Sequence, residues 1–187
     1  MQTIISARIS LGMETATFAN GCFWCTEAIF KRLKGIESVS SGYTGGKRVA
    51  PTYEQVSSGA TGHAEAVQVV FDPKIVSYDK LLDVFFVTHD PTSLNRQGAD
   101  VGTQYRSAIF YRDKEQKAIA EAKIRELEKA GKYKQTIVTE IVPFTAFYKA
   151  EESHQDFYDN NQYYPYCQVI IDPKIKKLYQ EFKEDVR

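Results

Sequence analysis

The stretch TATFANGCFWCTEAIFKRLKG, residues 15–35, decides how the chain begins to fold. Its first five residues, 15–19, are small, β-branched or aromatic and predict a short buried strand. Asn20-Gly21 breaks that strand, and the apolar spacing over residues 23–34 predicts a helix. Cys22 therefore lies at a strand-to-helix junction.

Strands and helices alternate along the rest of the chain. Alternating and β-branched residues predict further strands, whereas apolar residues at helical spacing predict helices. The predicted strands are residues 36–43, 64–71, 105–112 and 136–142, and the predicted helices are residues 78–88, a charged helix that Asp113 caps and that ends near Gly131, and residues 150–158. The main order is β-α-β-β-α-β-α-β. Residues 90–104 lack periodicity, and connections of this length are often functional.

The composition excludes several classes of protein. A chain of 187 residues buries a core without help from disulfides or a structural metal. With 24 basic and 24 acidic side chains the net charge is zero, so neither nucleic acid nor a membrane surface is an expected partner. Three cysteines, an odd count, favour thiols kept reduced in the cytoplasm over a disulfide framework.

We expect a single domain over residues 15–187, preceded by an N-terminal extension at residues 1–14. The extension lacks the sustained hydrophobic region of a secretory signal. From about residue 143 the periodicity weakens and an aromatic, Asn-rich tail follows. This pattern predicts a C-terminal tail that wraps the surface of the domain.

Cys22 is a candidate nucleophile because of its place in the predicted helix. In the first turn of a helix the backbone N–H groups are unpaired and the helix dipole favours an anion. The thiolate is the reactive form of cysteine, so we expect a lowered pKa and a reactive thiol at Cys22. The alternative is a buried structural cysteine, which is a common fate of a lone Cys.

Cys22 and Cys25 form a C-x-x-C pair, which is also typical of a thioredoxin-like redox motif. A zinc site needs two further ligands at suitable spacing, and Cys167 with three dispersed histidines does not supply them, so we expect no metal. The residues between the paired cysteines, Phe23 and Trp24, are large rings. They predict the walls of a pocket for a small apolar group rather than a flat surface for a protein dithiol.

Glu65 is the candidate acid. It follows Gly62-His63-Ala64 at the entry to an apolar strand, where partial burial would raise its pKa and leave it able to donate a proton. The alternative is an exposed acid at the end of a strand. Tyr43 and Tyr105 also lie at strand ends, but their position alone does not distinguish them among 12 tyrosines.

Several short segments follow one another in a characteristic order. They are GCFW (21–24), GYTGG (42–46), GHAE (62–65), HDPT (89–92), NRQGAD (95–100), GTQYRS (102–107) and FYKAE (147–151) with His154-Gln155. Each segment alone is weak evidence, but the ordered set is specific. In this order the chain resembles the peptide methionine sulfoxide reductase A family over nearly all of residues 15–173.

The resemblance implies a fold and a reaction. The fold is an α/β (α+β) two-layer sandwich, in which helices pack on a ferredoxin-like mixed sheet. The reaction reduces methionine-S-sulfoxide, in proteins or free: Cys22 attacks the sulfoxide sulfur, becomes a sulfenic acid, and methionine is released. Sulfur becomes electrophilic as its oxygen gains a proton, so acid and nucleophile must converge on one S–O group.

The resemblance also implies roles for other residues in a single catalytic domain. Phe23 and Trp24 hold the S-methyl group, and Glu65 protonates the sulfoxide oxygen. Tyr43 and Tyr105 hydrogen-bond that oxygen. Asp100 orders this polar network.

A second thiol must condense with the sulfenic acid to give a disulfide, which thioredoxin, or dithiothreitol in vitro, reduces in this family. The resemblance favours Cys167 as this resolving cysteine. The family usually has Gly at the position of Cys25, so the chain departs from the pattern and offers a second candidate one helical turn from Cys22. The remaining cysteine could instead pass the disulfide outward.

Two other functions stay open at the level of sequence. One is a thioredoxin-like disulfide oxidoreductase that uses the C-x-x-C pair. The other is a non-enzymatic module that binds methionine peptides through the aromatic tail and the loop at Tyr43. If the chain is instead a methionine sulfoxide reductase, we expect a monomer with no bound cofactor. Its substrates would be oxidised proteins or peptides, and thioredoxin would be its reductant.

Overall fold

The computed structural model describes residues 12–187. Residues 1–11 of the predicted N-terminal extension lie outside the described part of the chain. The elements in chain order are β1 (Glu14–Asn20), α1 (Phe23–Phe30), β2 (Ile36–Thr44), α2 (Tyr53–Ser57), β3 (Ala64–Phe71), α3 (Tyr78–Val87), β4 (Arg96–Gln97), β5 (Asp100–Val101), β6 (Ser107–Tyr111), α4 (Lys114–Lys129), β7 (Glu140–Pro143), β8 (Phe147–Lys149), α5 (Phe157–Asn160) and α6 (Asp172–Glu181).

Six of the strands form one mixed sheet in the order β7-β6-β1-β3-β2-β8. All neighbours are antiparallel except β6 and β7, which are parallel. The four central strands, β6-β1-β3-β2, carry the order 4-1-3-2 of a β-α-β-β-α-β unit, so the predicted ferredoxin-like mixed sheet is confirmed. The predicted order of the main elements is confirmed as well.

Phe18 marks the centre of the core. It lies on β1 between β3 and β6, and its side chain is fully buried. Its ring centroid lies 5.3 Å from that of Phe30 on α1, and 5.9 Å and 5.3 Å from those of Tyr78 and Phe85 on α3. Both helices therefore pack on one face of the sheet, as a two-layer sandwich requires.

Several predicted boundaries differ from the structure for identifiable reasons. The strand predicted at residues 105–112 starts at Ser107, because a 3₁₀ turn over Thr103–Tyr105 precedes it. The strand predicted at residues 136–142 starts only at Glu140, because only four of its residues, 140–143, pair with β6. The first helix ends at Phe30 instead of residue 34, and Leu33 then forms an isolated bridge with Val186.

The C-terminal segment does more than wrap the surface. Strand β8 pairs with β2 at the edge of the sheet, where a side chain at Gly42 would collide with the Phe147 ring and the Tyr148 carbonyl. A π-helical segment, Cys167–Ile171, then leads into α6, which has Pro at its start. The sequence predictions missed β8 and α6. None of the helices in residues 12–187 is both long and apolar enough to cross a membrane.

Replacing Phe18 by Ala removes the ring that joins β1 to α1 and α3. We expect the free energy of unfolding to fall by about 3–5 kcal/mol, as for other buried Phe→Ala changes. Urea unfolding followed by circular dichroism measures this loss. The matched control is Leu94→Ala, at a side chain that is 70% exposed, and it should change the free energy by less than about 0.5 kcal/mol. Equal effects of the two changes would contradict the assignment of Phe18 to the centre of the core.

Candidate active site

Cys22 is the N-cap residue of α1 and lies at the end of the central strand β1. Gly21 makes the turn possible: its φ is +102°, and a side chain there would meet Gln97 at 2.7 Å. The carbonyl of Cys22 accepts hydrogen bonds from the N–H groups of Cys25 and Thr26, at 3.1 Å and 3.3 Å. The Asn20-Gly21 break therefore places the thiol at the helix start, as the sequence predicts.

Glu65 lies beside this helix start. Its Oε2 accepts a hydrogen bond of 3.0 Å from the backbone N–H of Phe23, the residue after Cys22, although 42 residues separate the two in sequence. Burial raises the pKa of Glu65 to about 8, the charge of Asp100 adds to the increase, and the Phe23 N–H opposes it. Burial thus favours the protonated form of the carboxyl group, in the direction that the sequence predicts.

Phe23 and Trp24 belong to a cluster of rings. The centroid of Phe23 lies 5.4 Å from that of His154 and 6.4 Å from that of Tyr53. Trp24 stacks on Phe157 at 3.7 Å with nearly parallel planes, and its Nε1–H donates to Nδ1 of His154 at 3.1 Å. Rings from α2 and the C-terminal segment therefore enclose the two rings that follow Cys22.

The three tyrosines near the site differ in their surroundings. The Tyr43 hydroxyl donates to Oε2 of Glu151 at 2.8 Å, so it is already engaged. Burial raises the pKa of both Tyr53 and Tyr105, and the charges of Glu65, Asp100 and Cys22 contribute to both shifts. Tyr53 and Tyr105 therefore share the neighbourhood of the acid and the thiol.

The sequence predictions did not single out Tyr53, although a signal for its position exists. Thr52 and Gln55 form a capping box at the start of α2, in which the Thr52 side chain accepts from the Gln55 N–H and the Gln55 side chain accepts from the Thr52 N–H. The T-x-x-Q spacing could have predicted this short helix and placed Tyr53 in its first turn. His154, Phe157 and Tyr166 were also missed, because their contacts with Trp24 span 130 residues or more.

Tyr166 closes the site from the C-terminal side. Its hydroxyl donates to Oδ2 of Asp100 at 2.7 Å and lies 3.9 Å from Sγ of Cys25. Its ring contacts Trp24 edge to face, with centroids 5.8 Å apart. Asp100 thereby joins the β4–β5 hairpin to the segment that precedes Cys167.

The three cysteines lie in one buried cluster and are unpaired. Cys22 is 7% exposed, Cys25 is 1% exposed and Cys167 is fully buried. Burial raises the pKa of the Cys22 thiol well above its usual value, and the neighbouring Cys25 and Glu65 add to the increase. A hydrogen bond with Cys22 lowers the pKa of Cys25 to about 7 despite burial.

The predicted lowering of the Cys22 pKa is therefore wrong for this closed arrangement. The prediction considered only the helix start, whereas the C-terminal segment removes the thiol from water and desolvation penalises its charged form. Within the pair, Cys25 carries negative charge more readily than Cys22. Among residues 12–187, no group of three His, Cys, Asp or Glu side chains is arranged to hold a metal ion.

Comparisons with known proteins show which family the chain belongs to. The family model described as peptide methionine sulfoxide reductase matches residues 14–186. The chain is 57% identical over 173 residues to the peptide methionine sulfoxide reductase MsrA of Sulfolobus acidocaldarius, covering 92% of this chain and 97% of that protein. It also resembles the structure of methionine sulfoxide reductase A of Corynebacterium diphtheriae, with a TM-score of 0.73 and 37% identity over 81% of this chain and 76% of that one.

A third similarity concerns a complex. The structure of Mxr1 from Saccharomyces cerevisiae in complex with Trx2 matches with a TM-score of 0.53 and 27% identity, covering 79% of this chain and 86% of that one.

A cysteine pair beside a buried, protonated carboxyl group, on this fold, defines a thiol-dependent oxidoreductase. The chain belongs to the peptide methionine sulfoxide reductase family and reduces methionine sulfoxide. The two other functions that the sequence left open, a thioredoxin-like disulfide oxidoreductase and a non-enzymatic peptide-binding module, are not favoured by these comparisons.

The pKa of Glu65 makes stability depend on pH. The ordinary value is 4.5 and the folded value is about 8, so the folded state binds the proton more tightly. The resulting stabilisation is complete below about pH 4.5 and is lost as the pH rises through 8, with a slope of at most about 1.4 kcal/mol per pH unit. Urea unfolding at several pH values should show a smaller decline for Glu65→Gln than for the wild type.

Glu27→Gln is the matched control, because burial raises the pKa of Glu27 to about 7. The difference in free energy of unfolding between Glu27→Gln and the wild type should stop growing near pH 7. The corresponding difference for Glu65→Gln should keep growing up to about pH 8. Parallel curves for the wild type and Glu65→Gln would contradict the buried, protonated state of Glu65.

Proposed function

We propose that the chain reduces the S epimer of methionine sulfoxide in oxidised proteins and peptides, with Cys22 as the attacking thiol. The observation that carries this proposal is the hydrogen bond from the Phe23 N–H to Glu65, which holds a proton donor beside Cys22. Reduction requires both groups on one S–O bond, because the sulfur becomes electrophilic only as its oxygen is protonated.

The first step transfers oxygen. Cys22 loses its thiol proton, for which the neighbouring Cys25 thiolate is an acceptor, and its sulfur attacks the sulfoxide sulfur. Glu65 donates its proton to the sulfoxide oxygen. That oxygen then moves to Cys22 as a sulfenic acid, and the thioether of methionine is released.

The aromatic cluster suits the remainder of the substrate. Trp24 packs against the cysteine cluster, and Phe23, the residue after Cys22, packs against Trp24; we assign to these two rings the apolar S-methyl group of the substrate. Tyr105 and Tyr53 are assigned to the sulfoxide oxygen, because both are close to Glu65 and Cys22. The resemblance assigned Tyr43, rather than Tyr53, to this oxygen. We assign Tyr43 a supporting role instead, because its hydroxyl donates to Glu151.

Asp100 is assigned to the ordering of this polar network. Its charge reaches Glu65, Tyr53 and Tyr105, and it accepts a hydrogen bond from Tyr166. Nearby negative charge keeps the proton on Glu65 and on both tyrosine hydroxyls, which are the donors that the sulfoxide oxygen needs.

Two thiols are available to resolve the sulfenic acid. Cys25 lies in the same buried cluster as Cys22, and the influence of Cys22 lowers its pKa to about 7, which supports it as the first to attack, with water leaving and a Cys22–Cys25 disulfide forming. Cys167 belongs to the same cluster, which supports a second exchange that passes the disulfide to the C-terminal segment. Thioredoxin is the proposed final reductant, supported by the Mxr1 complex with Trx2.

The proposal is tested by single turnover with a peptide that contains methionine-S-sulfoxide. Glu65→Gln should slow the formation of methionine by about 10²–10⁴-fold, as expected for loss of a general acid. In the wild type the rate should fall as the pH rises through about 8, where Glu65 loses its proton, and the variant should lack this fall.

Alkylation by iodoacetamide is the control for the thiols. Glu65→Gln should leave the rate of Cys22 alkylation, followed by peptide mapping, at its wild-type level, because the acid acts on the oxygen and not on the attacking sulfur. Loss of alkylation together with loss of turnover would refute the assigned role of Glu65. Full activity of Cys22→Ser would refute the attacking thiol itself.

The order of the thiols is tested by peptide mapping after one turnover in the absence of reductant. Cys167→Ser should contain a Cys22–Cys25 disulfide, and Cys25→Ser should accumulate a sulfenic acid that dimedone traps or a slower Cys22–Cys167 disulfide. A trapped sulfenic acid in Cys167→Ser, with Cys25 still alkylated as a free thiol, would contradict the proposed order. Reduction of both oxidised variants by thioredoxin then shows which disulfide the reductant accepts.

A further inference from the structure

Glu151 makes two hydrogen bonds that the reaction described above leaves unexplained. Its Oε1 accepts from the backbone N–H of Tyr53 at 2.8 Å, and its Oε2 accepts from the hydroxyl of Tyr43 at 2.8 Å. The three residues come from separate segments: Glu151 lies 98 and 108 positions after its two partners in the sequence. One carboxylate therefore joins β2, α2 and the turn that follows β8.

Besides the capping box of Thr52 and Gln55, the hydrogen bond to Glu151 anchors the backbone of Tyr53. It is the first residue of α2, a helix of five residues, and a loop with Ala50 at a φ of +45° precedes it. Its ring nevertheless has a defined place, 4.4 Å from His154 and 6.4 Å from Phe23 between centroids. A short helix at the end of a loop does not hold a ring in place by itself, so an external anchor is required.

Glu151 suits this task electrostatically. Burial works against its charged form, but the hydrogen bonds from Tyr53 and Tyr43 outweigh it and lower the pKa of Glu151. A carboxylate that stays ionised accepts both hydrogen bonds at once, whereas an amide in its place keeps only one acceptor oxygen. The same residue also accepts a backbone hydrogen bond from His154, whose ring contacts Tyr53.

We propose that Glu151 is a positioning residue that holds Tyr53 in the active site by accepting hydrogen bonds from the Tyr53 backbone and the Tyr43 hydroxyl. This inference rests on the proposed function, in which Tyr53 hydrogen-bonds the sulfoxide oxygen. Glu151 itself does not reach the substrate. It acts only through Tyr53, so its contribution should disappear when the Tyr53 hydroxyl is absent.

A double-mutant cycle tests this dependence. Glu151→Gln in the wild type should lower kcat for reduction of a methionine sulfoxide peptide about tenfold, with KM changed by less than about twofold. The effect falls on kcat because the hydrogen bond from the Tyr53 hydroxyl to the sulfoxide oxygen strengthens in the transition state. In the Tyr53→Phe background the same change should lower kcat by less than about twofold. An equal loss in both backgrounds would overturn the proposal.

Glu152→Gln is the matched control. Glu152 is the next residue and is exposed, and within residues 12–187 its carboxylate pairs only with Lys149, at 2.8 Å, so kcat should stay within about twofold of the wild type. A loss as large as that of Glu151→Gln would overturn the specific role. If Glu151→Gln does not fold, Tyr43→Phe takes its place in the cycle, with an expected loss of about two- to fivefold that vanishes without the Tyr53 hydroxyl.

The series separates this inference from the proposed function. Turnover by the wild type, with a large loss of kcat in Tyr53→Phe, supports the proposed function. If the losses of Glu151→Gln and Tyr53→Phe are then additive, only the proposed role of Glu151 is refuted. A Tyr53→Phe variant as active as the wild type removes the role of the Tyr53 hydroxyl and, with it, the proposal for Glu151.

Discussion

The hydrogen bond between the Phe23 N–H and Glu65 is the interaction on which the site depends. It links the first turn of α1 to the central strand β3, so the thiol at the end of one element meets the acid on another. Because Oε2 is occupied by this N–H, the proton of the neutral carboxyl group is directed to the other oxygen. The sheet order, with β3 beside β1, makes this contact possible.

The sequence predicted the residues whose signals are local. Cys22 follows a strand break and precedes apolar helical spacing, and Glu65 begins an apolar strand, so both positions could be inferred without tertiary structure. The difference between Tyr43 and Tyr53 could not be inferred in this way. It depends on Glu151, about 100 residues further along the chain, which engages the Tyr43 hydroxyl.

The same distinction explains the pKa of Cys22. A helix start is a local feature and favours the thiolate, whereas burial is set by the π-helical segment and Tyr166, far along the chain. Desolvation acts on the whole charge, and helix-terminal stabilisation is typically worth only about 0.3–1 kcal/mol. Burial therefore prevails, and no local pattern in the sequence shows it.

Burial has opposite consequences for the two reacting groups. It keeps the proton on Glu65, which the proposed mechanism uses, and it also keeps the proton on Cys22, which the proposed mechanism must remove. In the proposed mechanism the neighbouring Cys25, with its pKa of about 7, reconciles these demands, because one negative charge shared by two sulfurs costs less to bury than a charge on a lone thiolate. In that mechanism, Cys25 thus makes a buried site compatible with an ionised thiol.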